Sequence, residues 1–191
     1  KSLVIMSKQK KIVRDIVKAE TKKKESVIFE EGVDWKIKKI KEHSFVLNYM
    51  NCDFEFPVPS LAGNHQIENA ATAVSVVKSI KQIVINDKII TKGIENVFWP
   101  GRMQKINNGK LKRRCPGNFD IWLDGGHNDH AADVILKFIK NWADINKILI
   151  LGMTAGKNPT SFLRKIIDKF NFLILLPIND HQYIHPYEIR E

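Results

Sequence analysis

The chain has 191 residues, of which 43% are hydrophobic and 27% are charged, so it has the composition of a globular protein with one large or two small domains. Two cysteines, Cys52 and Cys115, exclude a disulfide framework and fit a reducing compartment, and no apolar run approaches the about 20 residues of a membrane helix. The net charge of +10 permits nucleic-acid binding, but the basic clusters are scattered without an aromatic-interleaved platform, which favours a solvated lysine-rich surface.

The first 98 residues predict a small α+β region followed by helices. Period-two alternation in three successive runs indicates an antiparallel meander, and apolar residues at helical spacing indicate the helices. The predicted elements are a strand at 3–6, a helix from Ser7 to Lys22, a strand at 27–29, the meander strands at 35–41, 45–49 and 54–58, and helices at 66–80 and 91–97. Because Lys1 leads almost directly into a strand, we expect a preceding N-terminal part.

The remaining residues predict a parallel, three-layer α/β sheet with right-handed crossovers, because buried apolar runs alternate with amphipathic helices. Met103 to Ile106 is predicted as a strand, and Asn107-Asn108-Gly109 has the turn chemistry of a hairpin. The elements predicted after it are a strand at 119–124 buried on both faces, a helix at 130–142 capped by Asn128 or Asp129, a strand at 147–153, a helix at 159–169 and a strand at 172–176.

A ligand-binding turn is predicted after the strand at 119–124. Gly125 and Gly126 permit a sharp turn with positive φ. The turn places Asp124 and His127 at the carboxyl end of a strand and beside a helix N-terminus, where open α/β sheets bind ligands and anions are favoured. Both residues also have a structural interpretation, in which Asp124 caps the following helix and His127 is hydrogen-bonded locally.

The stretch from Gly152 to Asn158 superficially resembles a phosphate loop. It lacks one residue between the glycines, and Asn158 stands where a Ser or Thr would hold magnesium. We therefore predict a glycine-rich loop between a strand and a helix, and assign no role to Lys157.

Three landmarks resemble one known family. Pro100-Gly101-Arg102, the run Asp124-Gly125-Gly126-His127-Asn128 and the earlier run from Leu61 to Ala73 are similar to the C-terminal portion of folylpolyglutamate synthase/dihydrofolate synthase, of the Mur ligase superfamily. The resemblance implies a Mur-ligase C-terminal, Rossmann-like, open and mostly parallel sheet with flanking helices, preceded by a small α+β remnant of the central ATPase domain. The implied divisions are 1–62, the tail of that ATPase domain; 63–98, a linker with helices; and 99–191, a truncated C-terminal domain.

The resemblance also implies a function and a site. The family adds L-glutamate to dihydropteroate or folate through an acyl phosphate, with ATP and magnesium, in the cytoplasm. Asn69, Arg102 and Asp124 are then expected to bind the nucleotide, and His127 to act in catalysis. No metal ligand is expected in this chain, because the family's magnesium ligands and phosphate loop precede the matched portion.

The expected partners are L-glutamate, a pteroate or folate, and a separately encoded N-terminal ATPase piece; a membrane or a nucleic acid is not expected. The chain alone is expected to be inactive. Two alternatives stay open: a non-catalytic nucleotide-binding or interaction fragment, and another Mur-type amide ligase. Gly126 and Asp129 depart from the family's usual Ala and Pro, and are expected to loosen the turn and to place a negative charge near the phosphates.

Overall fold

The computed structural model describes residues 2–140, 142 and 145–190, which form two compact units. Unit 1 spans Lys1–Leu123 and unit 2 spans Asp124–Glu191. The division into segments 1–62, 63–98 and 99–191 stays a prediction. No helix in the described part of the chain is both long and apolar enough to span a bilayer.

Unit 1 begins with a parallel strand pair and continues with an antiparallel meander, as predicted. Its elements are β1 (Leu3–Met6), α1 (Lys11–Lys23), β2 (Val27–Glu30), β3 (Trp35–Ile40), β4 (Ser44–Tyr49), β5 (Cys52–Pro57), α2 (Asn64–Ser79), α3 (Asp87–Glu95), β6 (Gln104–Lys105), α4 (Gly109–Arg114) and β7 (Trp122–Leu123). β1 pairs with β2 in parallel, and β3, β4 and β5 form a three-stranded antiparallel sheet.

The core of unit 1 lies between the meander and the two long helices that follow it. Alternation along β4 buries Phe45 and Leu47 completely, as the period of a half-buried strand requires. The apolar sides of α2 and α3 close the cluster. Its buried members are Trp35, Phe45, Leu47, Phe56, Ile67, Ala71, Val74, Ile90 and Ile94.

Two helix predictions in unit 1 need correction at their N-terminal ends. Helix α1 begins four residues after Ser7: its N-cap is Lys10, which makes no side-chain cap, and the Ser7 hydroxyl accepts a hydrogen bond from Gln9 instead. Helix α3 begins at Asp87 rather than Thr91, because the Asn86 side chain accepts from the Ile89 amide and caps it earlier.

The predicted hairpin after Asn107 is wrong, since residues Gly109–Arg114 form the short helix α4. Gly109 does adopt positive φ (93°), but it opens a helix rather than a two-residue turn. The three basic residues at the end of α4 complement the negative end of its dipole, which favours a helix over a strand here.

The prediction of a buried parallel strand at 119–124 is also wrong. Only Trp122–Leu123 is a strand, and it pairs antiparallel with β6, in the register Gln104↔Leu123 and Lys105↔Trp122. Phe119 and Leu123 are 42% and 50% exposed. The apolar run therefore belongs to an exposed antiparallel pair. A short run of large apolar residues fits either that arrangement or a buried parallel strand, so the sequence alone does not decide between them.

Unit 2 is an α/β unit with one parallel strand pair. Its elements are α5 (Asp129–Ile139), β8 (Ile148–Leu151), α6 (Pro159–Ile166) with a 3₁₀ turn at Ile167–Lys169, β9 (Phe172–Leu175) and α7 (Pro186–Arg190). The parallel pairing of β8 and β9, in the register Ile148↔Phe172, is confirmed. Helix α5 ends before the predicted residue 142, and residues 141, 143 and 144 lie outside the described part.

Only one face of the β8–β9 pair packs against the helices. Leu149, Leu151, Leu173 and Leu175 contribute to the cluster around Phe162 and Ile166 of α6 and Ala132 of α5. On the other face, Ile150 and Phe172 are 61% and 65% exposed. In the described residues this unit therefore has two layers, rather than the three that were predicted.

Candidate functional site

The candidate site begins in the turn that follows β7. The Gly126 amide donates a hydrogen bond to Asp124 Oδ1 at 2.7 Å, which fixes the carboxylate over the turn. A Cβ on Gly126 would lie 2.7 Å from that same oxygen and 2.7 Å from the Cβ of Ala131. Neither Gly125 nor Gly126 has positive φ. The turn therefore does not use positive φ, and a side chain at 126 would force Asp124 or Ala131 to move; the expected loosening of the turn by Gly126 stays a prediction.

His127 and Asn128 lie at the start of α5. The Asn128 side chain accepts a hydrogen bond from the Ala131 amide at 2.9 Å, which confirms the predicted cap. His127 Nδ1 lies 3.2 Å from the Gly125 carbonyl oxygen, as the local structural interpretation requires. This bond uses one ring nitrogen, and Nε2 has no hydrogen-bond partner in the described part of the chain. The ring can therefore still exchange a proton or a hydrogen bond with a ligand.

The charge of Asp129 has a counterion that the sequence did not reveal. Lys165 of α6 lies 4.0 Å from the Asp129 carboxylate, and its ammonium donates to both carboxylate oxygens of Asp133 at 2.9 Å. The hydrogen bond from Lys165 holds the pKa of Asp133 below its usual range. The negative charge expected beside the turn is thus partly compensated by a residue that is distant in sequence and carries no motif.

Asn69 and Arg102 lie on separate elements of unit 1. Asn69 is an exposed residue of α2, and its amide nitrogen donates to the side chain of buried Gln66 at 3.0 Å. Arg102 is exposed and has no ion-pair partner among the described residues. The bend before it is closed by the Gly101 amide, which donates to Gln104 Oε1 at 3.0 Å while Gly101 adopts a φ of 70°.

The turn after β7 brings Asp124 and His127 together, whereas Asn69 and Arg102 are positioned by the other unit. That Asn69, Arg102 and Asp124 bind one nucleotide together stays a prediction. Among the described residues, no group of three His, Cys, Asp or Glu side chains could hold a metal ion.

Two other carboxyl groups have lowered pKa values, and both lie on the exposed face of the meander. Hydrogen bonds from Lys38 and Asn48 lower the pKa of Asp53. Those from Lys41 and Ser44 lower the pKa of Glu55. Both groups are exposed members of ion pairs, so their shifts describe a solvated sheet surface rather than a catalytic group.

No protein-family model matches the chain. It is 26% identical to a putative folylpolyglutamate synthase of Dictyostelium discoideum in an alignment 189 positions long, which covers 65% of this chain and 30% of that protein. It is also 26% identical to a probable dihydrofolate synthetase of Schizosaccharomyces pombe over 139 residues, covering 70% of this chain and 31% of that protein.

The fold has a solved counterpart in a folylpolyglutamate synthase of Mycobacterium tuberculosis, determined with ADP and AMPPCP. The TM-score is 0.81 at 15% sequence identity, over 98% of this chain and 41% of that one. The chain thus spans about a third of the length of the two curated relatives. The resemblance and the α/β fold class predicted from the sequence are both confirmed: this chain is similar in sequence and in fold to a portion of the folylpolyglutamate and dihydrofolate synthases.

Proposed function

We propose that this chain is part of an ATP-dependent ligase that adds L-glutamate to dihydropteroate or to a folate. The observation that carries the proposal is the turn from Asp124 to Asn128, where a fixed carboxylate and a histidine stand at the start of a capped helix. The similarity to folylpolyglutamate and dihydrofolate synthases supports this choice of reaction.

Asp124 is proposed to bind the ribose of the nucleotide. An ionised carboxylate only accepts hydrogen bonds, and two oxygens can serve two vicinal hydroxyl donors. The bond from the Gly126 amide restricts the rotation of the Asp124 side chain, so less conformational entropy is lost when a ligand binds.

Arg102 and His127 are proposed to act at the phosphates and the reacting amide. The guanidinium of Arg102 is permanently charged, forked and exposed, and so suits a phosphate. Because Nδ1 donates to the Gly125 carbonyl, Nε2 of the neutral ring is an acceptor, and His127 is proposed to receive a proton there from the attacking glutamate amine; the protonated ring would then donate to a phosphate oxygen. Asn69, whose amide is oriented by Gln66, is proposed to contact the base.

Magnesium does not enter the steps assigned to this chain, because no described group of residues fits it. The sequence also has no G-x-x-x-x-G-K-[S/T] loop to hold the γ-phosphate. Phosphoryl transfer depends on such donors and on the metal. We therefore propose that the chain alone binds ATP weakly, at about millimolar Kd or about −4 kcal/mol, and does not ligate glutamate.

The nucleotide site is tested by titrating the isotopically labelled chain with ATP and following its amide resonances. We expect the largest shifts at residues 124–128, and weaker binding in Asp124→Asn and Arg102→Ala. Asp15→Asn and Arg164→Ala, which remove the same charges from exposed positions of α1 and α6, are expected to bind like the parent. Equal losses in the test and control variants would show that only net charge matters, and the site assignment would be wrong.

The reaction is tested with the purified chain, ATP, magnesium, L-glutamate and dihydropteroate or a reduced folate. Turnover by the chain alone would refute its dependence on another piece. Restoration of turnover by an added N-terminal ATPase piece of a related synthase would support the ligase. Nucleotide binding without turnover in either case would instead favour the non-catalytic alternative.

A further inference from the structure

The connection between β6 and β7 is largely exposed, and pairing of the two strands holds its ends together. The strands pair at Lys105↔Trp122, and the Ile106 amide donates to the Ile121 carbonyl at 2.8 Å. We call residues 106–121 the basic arm. It contains α4, none of whose residues is buried, so core packing does not account for this helix.

The net positive charge of the protein comes entirely from the unit that carries this arm. Residues 1–123 contain 23 Lys and Arg against 13 Asp and Glu, whereas residues 124–191 contain 8 of each. Within the arm, four cations stand against one acid, Asp120. Those cations are Lys110, Lys112, Arg113 and Arg114.

The single acid of the arm is already paired, because its carboxylate lies 2.9 Å from Lys105 Nζ at the base. Lys112 donates to the backbone carbonyl of Phe119. In the described part of the chain, Lys110, Arg113 and Arg114 have no carboxylate within ion-pair distance. The arm therefore presents three uncompensated cations within five residues.

The stability of helix α4 explains the position of only some of these cations. Arg113 and Arg114 lie at the C-terminal end of α4, where cations interact favourably with the helix dipole. Lys110 lies in the first turn, where a cation opposes the dipole, and like charges crowd one another on so short a helix. The arrangement costs stability in the free chain, and that cost is relieved when an anion binds.

Exposed apolar groups accompany the cations. The bond from Lys112 holds Phe119, 42% exposed, beside α4, and Lys105 Nζ lies 5.7 Å from the centre of the Trp122 ring at the base. An exposed ring on the same short segment as uncompensated cations is what single-stranded nucleic acids bind, with bases stacked on the ring and phosphates neutralised by Lys and Arg. A membrane surface fits less well, because Leu111 is the only apolar side chain of α4 and an interfacial helix needs a whole apolar face.

We propose that the basic arm binds single-stranded nucleic acid, with Lys110, Arg113 and Arg114 at the phosphates and Phe119 as a stacking surface. At this arm alone, the proposal replaces the solvated surface favoured by the sequence with a binding surface, since α4 brings Lys110, Arg113 and Arg114 within one short helix, where a hairpin would have placed them on a strand and the loop after it. The proposal is independent of the ligase assignment, and no residue of the nucleotide site belongs to the arm.

The test measures the anisotropy of a short fluorescein-labelled oligothymidylate from about 50 to about 200 mM salt. The arm variant is Lys110→Gln/Arg113→Gln/Arg114→Gln, and the matched control Lys22→Gln/Lys23→Gln/Lys24→Gln removes three exposed charges from the end of α1 in the same unit. We expect the parent to bind with a Kd of about 10⁻⁴ to 10⁻⁶ M. Circular dichroism verifies that both variants are folded.

The arm variant is expected to bind at least about tenfold more weakly at low salt, and its slope of log K against log salt to be shallower by about two, as loss of three phosphate contacts predicts. The control should stay within about twofold of the parent. Phe119→Leu should weaken binding by about fivefold, as loss of one stacked base does. Undetectable binding, or equal weakening in the arm and control variants, would overturn the proposal. So would arm-dependent binding to phosphatidylserine vesicles that the oligonucleotide does not displace.

Discussion

Substitution of Gly126 by Ala restores the residue that the related motif usually carries, yet the structure predicts that it is harmful here. The new Cβ would lie 2.7 Å from Asp124 Oδ1 and 2.7 Å from the Cβ of Ala131. The carboxylate is the end of a flexible side chain and can swing away, but it would then lose its bond to the amide of residue 126. Ala131 belongs to α5, so its Cβ moves only if the helix shifts.

The cost follows from these two contacts. Overpacking of this kind typically destabilises a protein by about 1–3 kcal/mol. Part is offset by about 0.4–1 kcal/mol, because alanine has less freedom than glycine in the unfolded chain. We therefore expect the free energy of unfolding to fall by about 1–2 kcal/mol. We also expect ATP binding to weaken, since Asp124 loses its fixed position.

Urea unfolding followed by circular dichroism measures the loss, and amide resonances report the position of the turn. The matched control is Gly117→Ala, since a Cβ at that exposed glycine meets nothing within 4 Å and φ there is not positive. We expect the control to be as stable as the parent or slightly more stable. If Gly126→Ala behaves like this control, the close fit of the turn is wrong.

Three further substitutions test packing, capping and electrostatics. Phe45→Ala, at a fully buried position of β4, should lower the free energy of unfolding by about 3–5 kcal/mol, whereas Phe98→Ala, at a residue 68% exposed, should change it by less than about 0.5 kcal/mol in urea titrations. Asn128→Ala removes the cap of α5 and should cost about 0.5–2 kcal/mol, with faster amide exchange in the first turn of that helix. The pKa of Asp133 is lower in the folded chain, so its contact with Lys165 stabilises the fold at pH values above the unfolded carboxyl pKa of about 3.9. This stabilisation is lost as the pH falls through the folded pKa. In an NMR titration, Lys165→Gln should return the pKa of Asp133 to its ordinary range.

The local pattern of the sequence determined the elements with strong periodicity. Alternation predicted the three meander strands, and Phe45 and Leu47 face the core as their register requires. The helical spacing and the cap at Asn128 predicted α5, and apolar runs predicted the parallel pair β8 and β9. The landmark residues also sufficed to identify the related family, because their order and spacing are a property of the sequence itself.

Tertiary structure decided what periodicity leaves open. An apolar run does not specify its partner strand, so Trp122–Leu123 pairs antiparallel with β6 in place of the expected parallel sheet. Nor does it specify which faces are covered, since Ile150 and Phe172 are exposed on a strand pair predicted to be buried on both sides. The counterion Lys165 lies 36 residues from Asp129 and is brought beside it by folding, whereas the crowding at Gly126 comes from nearby Asp124 and Ala131 and depends on the path of the turn. The sequence around Asp129 does not predict such a contact, because neighbouring residues along the chain do not specify which distant side chains will pack beside them.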